Sequence, residues 1–144
     1  MIRHGGLIAA RRNGYWRGVL IEGASGRGKS DLALRALDHG FRLVADDRVL
    51  VWADAGRLFG RAPEALDGLL EVRGLGVIAV APVAFAEIVL LVRLERPERM
   101  PEPATETILG QLVPLLAVDP FESSAPAKLS RAMEAFDAAH KRRI

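Results

Sequence analysis

The sequence predicts an α/β domain with a mixed sheet and flanking helices. Three observations carry that reading: short apolar runs of strand length recur along the chain, two pairs of them face each other across tight-turn residues, and helical repeats interrupt the series. The hairpins argue against a purely parallel, doubly wound sheet.

Taken in order, Gly6 to Ala10 and Gly18 to Glu22 read as strands joined around Asn13-Gly14, the strongest short hairpin signal. The second strand runs into a glycine-rich turn. From Ser30 to His39, Leu32, Ala33, Ala36 and Leu37 recur at helical spacing, and Gly40 stands where a helix C-terminal glycine belongs. Phe41 to Ala45 is a short strand ending on Asp46-Asp47. Arg48 to Trp52 and Arg57 to Phe59 form a second hairpin around Asp54-Ala55-Gly56. Pro63 to Leu70 reads as a short helix with proline at its start. Glu71 to Gly76 is a loop or strand entry before the run Val77 to Val80, and Ile88 to Leu94 is a buried strand. Arg96 to Pro103 carries three prolines and reads as a loop. Val113 to Val118 is the last strand. Ala125 to Arg142 is a final amphipathic helix through Leu129, Met133 and Phe136, either closing the core or packing on a neighbour.

A length of 144 residues suits one domain spanning 1–144, able to bury a core without staples. The content of 50% apolar and 26% charged residues excludes disorder and fibrous repeats. No cysteine is present, which removes disulfides, thiolate metal sites and a cysteine nucleophile. His4, His39 and His140 are too far apart in sequence to suggest a metal cluster. A net charge of +2 does not demand a nucleic-acid partner. The longest apolar run, Val77 to Ala86, contains Pro82 and is too short to span a bilayer, and no signal peptide opens the chain. A soluble, cytoplasmic protein without membrane or nucleic-acid partners is therefore expected. Only Lys29, Lys128 and Lys141 are lysines among 20 basic residues.

One of those lysines lies in the most informative segment. Gly23-Ala24-Ser25-Gly26-Arg27-Gly28-Lys29-Ser30 matches G-x-x-x-x-G-K-[ST] at every defined position, between a strand and a helix as the motif requires. Glycines let the backbone N–H groups turn inward, and the helix offers its positive end to phosphate. Lys29 is placed to reach the β- and γ-phosphates of ATP, and the Ser30 hydroxyl to ligate Mg²⁺. The four fixed positions co-occur by accident in on the order of one per cent of chains this long.

Acids follow at strand ends. Asp46-Asp47 comes one helix after Ser30; if its strand lies beside the P-loop strand, both C-terminal ends face one crevice. Adjacent carboxylates there point to opposite sides, so one can accept a proton while the other holds a metal-bound water. Leu70-Glu71-Val72-Arg73-Gly74-Leu75-Gly76 sets an acid and a base at i and i+2, with glycines permitting close approach. A substrate site and a tight turn both fit that segment.

Four segments in order resemble the catalytic domain of the bacterial HPr kinase/phosphorylase family in its short, alphaproteobacterial-type form: His4-Gly5, Gly23 to Ser30, Arg42 to Arg48, and Leu70 to Gly76. The resemblance covers about the first eighty residues and implies a P-loop-containing kinase-like fold. It implies an ATP- and Mg²⁺-dependent kinase that phosphorylates a serine of the phosphocarrier protein HPr, with phosphorolysis as a further activity. It assigns catalysis to His4, Lys29, one of Asp46 and Asp47 as base, Arg73 and Arg99, and Mg²⁺ to Ser30 and Glu71. It also implies a homo-oligomer, a hexamer in the family. The glycine-arginine-rich segment of longer members, linked to phosphorolysis, is replaced by Pro120 to Leu129, and the regulatory N-terminal domain of those members has no counterpart before His4. A P-loop small-molecule kinase and a nucleotide-binding regulatory module are the alternative readings.

Overall fold

The alternation Leu7-Ile8-Ala9-Ala10 shows how the chain builds its core. Leu7 and Ala9 enter one buried cluster, Ile8 and Ala10 another, because successive strand residues point to opposite faces. A strand buried on both faces reads as a continuous apolar run, which is the pattern in the sequence.

The computed structural model describes residues 1–142, with the helical backbone alone over 137–142. Its strands are β1 (Ile2–His4), β2 (Gly6–Arg12), β3 (Tyr15–Glu22), β4 (Arg42–Ala45), β5 (Arg48–Asp54), β6 (Arg57–Arg61), β7 (Leu69–Val72), β8 (Gly76–Ala79), β9 (Ala86–Leu94), β10 (Ala104–Ile108) and β11 (Gln111–Val118). Helix α1 (Lys29–Leu37) follows β3, and α2 (Ala125–Arg142) follows β11. The large mixed sheet runs β1-β5-β6-β9-β3-β2-β4. The nine-residue β9 is shared along one edge: its first residues pair antiparallel with β6, and from Leu91 it pairs parallel with β11. β10 adds to β11, and β7 with β8 forms a separate ribbon.

One face of the sheet packs on the helices through Leu32, Ala33 and Ala36 of α1 and Leu129 and Met133 of α2, with Leu70 of the ribbon beside them. The other face closes on itself around Leu20, Val44, Val49, Leu58, Leu91 and Ile108. The basic tail Lys141-Arg142-Arg143 lies outside the described side chains.

Three differences from the sequence reading have clear causes. The helix expected over Pro63 to Leu70 is a single 3-10 turn, Glu64–Leu66, with β7 starting at Leu69. Gly68 ends it, at φ 73° and with its α-carbon face against the Val80 carbonyl, where a Cβ would stand 3.1 Å from the oxygen. The region 104–118 is a hairpin and not one late strand. Its two-residue turn, Leu109-Gly110, places a leucine at φ 49°, so no asparagine or aspartate announces it. Third, β4 does not lie beside the P-loop strand β3, because β2 stands between them. Since β2 is antiparallel to both, β3 and β4 still run the same way and end at the same edge. A strand not foreseen in the sequence, β1, pairs with β5 and brings His4 opposite Arg48.

An ion network ties the rim of the curled face. Arg3 donates to Glu22 at 2.7 and 2.9 Å and to Glu106 at 2.8 Å, and Arg93 donates to the other Glu106 oxygen. Hydrogen bonds from Arg3 and then Arg93 hold the Glu106 carboxyl below the usual carboxylate range. A carboxylate lowered in the folded state stabilises fully above its unfolded pKa, and that stabilisation is lost as the pH falls through the folded value. Glu106→Gln should therefore lower the Tm by about 3–4 °C at neutral pH, for a loss of about 1 kcal/mol. The gap between variant and parent should close as thermal melts are taken from pH 7 towards pH 3; a constant gap would reject the charge-based origin.

Candidate functional site

The loop from Gly23 to Ser30 leaves β3 and enters α1 at the sheet edge where β4 also ends. Gly28, a fixed position of the motif, caps α1 at φ 91°, and Gly26 sits at φ 78°, backbone geometry that favours glycine at both. The Arg27 N–H donates to the Ala24 carbonyl at 3.1 Å, closing the turn. Lys29 Nζ lies across the loop, donating to the Gly23 carbonyl at 2.7 Å and the Ala24 carbonyl at 3.3 Å. Its ammonium is thus held against the loop's own backbone, at the cavity the loop opens.

The two aspartates divide as adjacent strand-end residues should. Asp46 is buried and accepts from Ser30 Oγ at 2.7 Å and from the Glu71 N–H at 3.0 Å. It thereby pins the first turn of α1 to the β7–β8 ribbon. Asp47 is the opposite case: its side chain is 71% exposed, and its nearest ion-pair partner, Arg48, is 3.8 Å away. Its backbone is left-handed at φ 70°, a conformation a non-glycine residue rarely adopts and one that aspartate tolerates better than most. The Gly5 N–H holds the Asp47 carbonyl at 3.0 Å. Gly5 is obligatory there, since a Cβ would come within 2.4 Å of the Ile21 carbonyl oxygen.

A cavity of about 290 Å³ opens at the loop and brings together Lys29, Ser30, Asp47, Glu71 and Arg73, with Phe121 on its far wall. A second, of about 350 Å³, adjoins it and adds Asp46, Leu66, Leu69 and Val77. Glu71 and Arg73 both line the first cavity, Glu71 from β7 and Arg73 from the turn beyond it. His4 is exposed on β1 and connects to Asp47 through the backbone of Gly5. Arg99 is exposed in the loop after β9, while Arg96 and Pro97 of that loop line a cavity on the other side of the P-loop, with Arg27 and Phe121. Phe121 carried no signal beyond a lone aromatic in an Asp-Pro-Phe turn after a strand. Lys128 pairs with Glu122 of the same turn at 3.0 Å.

Among the described residues no group of three His, Asp or Glu side chains converges as a ready metal cage. The donors at the loop are a hydroxyl and carboxylates, hard oxygen ligands suited to Mg²⁺, which keeps several waters and relies on one or two protein groups plus substrate phosphate.

The sequence pattern of the HPr Serine kinase C-terminal domain matches residues 2–100. The chain belongs to the HPr kinase family. Within it, the chain is 57% identical over 67 residues to the HPr kinase/phosphorylase of Streptococcus thermophilus, covering 46% of this chain and 22% of that protein. It is 42% identical over 116 residues to the Limosilactobacillus reuteri HPr kinase/phosphorylase, covering 70% of this chain and 36% of that one. The chain thus spans about a fifth to a third of the length of these relatives. A solved structure, the Hpr(Ser) kinase/phosphatase from Coxiella burnetii, superposes with a TM-score of 0.77 at 28% identity, covering 99% of this chain and 97% of that chain. The matched family segment contains the P-loop, both aspartates, Glu71 and Arg73, and reaches Arg99. No helix among the described residues is long and apolar enough to cross a membrane.

Proposed function

We propose that this chain is an ATP-dependent protein-serine kinase acting on a serine of the phosphocarrier protein HPr. The observation that carries the reading is the meeting of Lys29, Ser30, Asp47, Glu71 and Arg73 around one P-loop cavity in a member of this family. A pure nucleotide binder has no use for an exposed, conformationally strained carboxylate facing the phosphate cradle.

The incoming serine hydroxyl attacks the γ-phosphorus in line. An O–P bond forms to the serine, the bond from the γ-phosphorus to the bridging oxygen breaks, and ADP departs. Asp47 takes the hydroxyl proton as the new bond forms. The loop N–H groups and the Lys29 ammonium stabilise the charge on the transferred group, in a geometry set before substrate arrives. Asp46 keeps the Ser30 hydroxyl and the Glu71 backbone in place. Ser30 and Glu71, with Asp46 orienting the Ser30 hydroxyl, would hold Mg²⁺, which would supply further neutralisation of phosphate charge. His4 sits behind Asp47 through the Gly5 contact, and Arg73 steers the acceptor protein. Arg99 and the family's homo-oligomer belong to the same proposal.

The test is transfer from [γ-³²P]ATP to purified HPr, with the product mapped by mass spectrometry. A single phosphoserine on HPr is expected. ATP turnover that leaves HPr unmodified would sink the assignment. Incubating phosphoserine-HPr with phosphate alone then reads whether phosphorolysis is retained.

A further inference from the structure

The cavities on the Asp47 side of the P-loop account for one flank of the site and leave the other without a task. On that other flank, a cavity of about 490 Å³ is bounded by Arg27 of the loop itself, Arg96, Pro97 and Phe121. This volume lies within the range of small-molecule sites. Phe121 lines both this cavity and the phosphate cavity, so it is the wall the two share. Its ring reaches the loop: Cε1 lies 3.6 Å from where a Cβ on Gly28 would stand.

Two features set Phe121 apart from an ordinary surface residue. Its side chain is large and apolar, yet 72% exposed, where burial would have stabilised the fold. Its backbone is tied down on both sides. The Phe121 N–H donates to Asp119 Oδ1 at 3.0 Å, and the Arg35 guanidinium donates to the Pro120 carbonyl and, at 3.2 Å, to the Glu122 carbonyl. Arg35 is itself braced by Asp31 at 3.0 Å. A ring carried on a backbone ordered in advance loses little conformational freedom when a planar partner stacks on it.

The chemistry of the donor then assigns the two flanks. The acceptor hydroxyl must reach Asp47, so the acceptor enters from that side. The rest of the donor must leave the phosphate cradle in the other direction. We infer that Phe121, with Arg27 and Arg96, forms the subsite for the nucleobase and ribose of the phosphoryl donor, making the donor a nucleoside triphosphate in preference to a bare polyphosphate. This rests on the kinase reading in two respects, that the phosphates lie in the P-loop and that the acceptor faces Asp47. The base stacks on the Phe121 ring, with Arg27 and Arg96 in the lining of the same cavity beside Glu95, Asp119 and Glu122.

Calorimetric titration of the whole chain with ATP and, separately, with inorganic tripolyphosphate tests it. Phe121→Ala should weaken ATP about ten-fold, the scale of one lost base–aromatic stack, and leave tripolyphosphate within two-fold. Phe121→Trp should hold ATP near the parent value. The inference is overturned if Phe121→Ala weakens both ligands equally or neither. Because the residue is exposed, its loss should leave the fold intact, which a thermal melt of the variant verifies. Failure of the kinase reading looks different: the parent protein then leaves HPr unmodified, whatever the titrations show.

Discussion

Lys29→Ala is expected to lower phosphoryl transfer to HPr by about 10²–10³-fold while the chain stays folded. Removing one preorganised donor aimed at developing charge has that scale of effect. The ammonium is held across the loop by the Gly23 and Ala24 carbonyls, at the cavity that also gathers Ser30 and Asp47. Those two bonds are to a solvent-facing loop and contribute about 1 kcal/mol each at most, so the Tm should fall by a few degrees only. Lys29→Arg provides the sharper comparison. It keeps the charge but replaces a compact ammonium with a wide planar fork of different hydrogen-bonding geometry, and a large loss is expected there too. Steady-state kinetics with circular dichroism decide the matter. Full activity of the alanine variant would remove Lys29, and with it the P-loop, from the reaction.

How far the fold could be read in advance follows from its turns. The three long hairpins β2–β3, β5–β6 and β10–β11 all close over two residues, Asn13-Gly14, Ala55-Gly56 and Leu109-Gly110, with both turn residues at positive φ. Asparagine before glycine announces the first. Alanine and leucine do not ordinarily adopt this conformation, and there the strand pairing on either side imposes it. The second hairpin was still legible because strong apolar runs flank it. The third was not, because β10 reads Ala-Thr-Glu-Thr-Ile after three prolines and β11 contains Pro114. That proline is tolerated because β11 begins to pair with β9 only at Leu115.

The site divides along the same line between local and long-range information. The loop from Gly23 to Ser30 is a contiguous motif whose physics is local, and its backbone angles are those the motif demands. The pairing of Ser30 with Asp46, and of Asp46 with the Glu71 N–H, depends on β4 running parallel to β3 across an intervening strand, which spacing alone does not encode. Phe121 is further still from local legibility. Its place beside Gly28 arises because β11, more than eighty residues after the P-loop, ends against the same edge of the sheet.

Asp47→Asn and Asp46→Asn separate two carboxylates that sequence could not tell apart. Asparagine tolerates the left-handed region as aspartate does, so Asp47→Asn should preserve the backbone at φ 70° and remove only the proton acceptor. A positioned general base contributes about 10²–10⁴-fold, so kcat should fall by that factor with KM for ATP and the Tm nearly unchanged. Asp46→Asn removes something else. The buried carboxylate accepts from both Ser30 and Glu71, and a carboxamide has a single oxygen, so one donor then faces an NH₂ group. Leaving a buried donor unpaired costs about 1–3 kcal/mol, so this variant should lose several degrees of Tm together with activity. The two signatures are distinct: rate without stability for Asp47, both together for Asp46. Activity of Asp47→Asn within a few-fold of the parent, beside an inactive Asp46→Asn of unchanged Tm, would transfer the base role to Asp46. In that case the exposure of Asp47 would instead mark a surface for the acceptor protein.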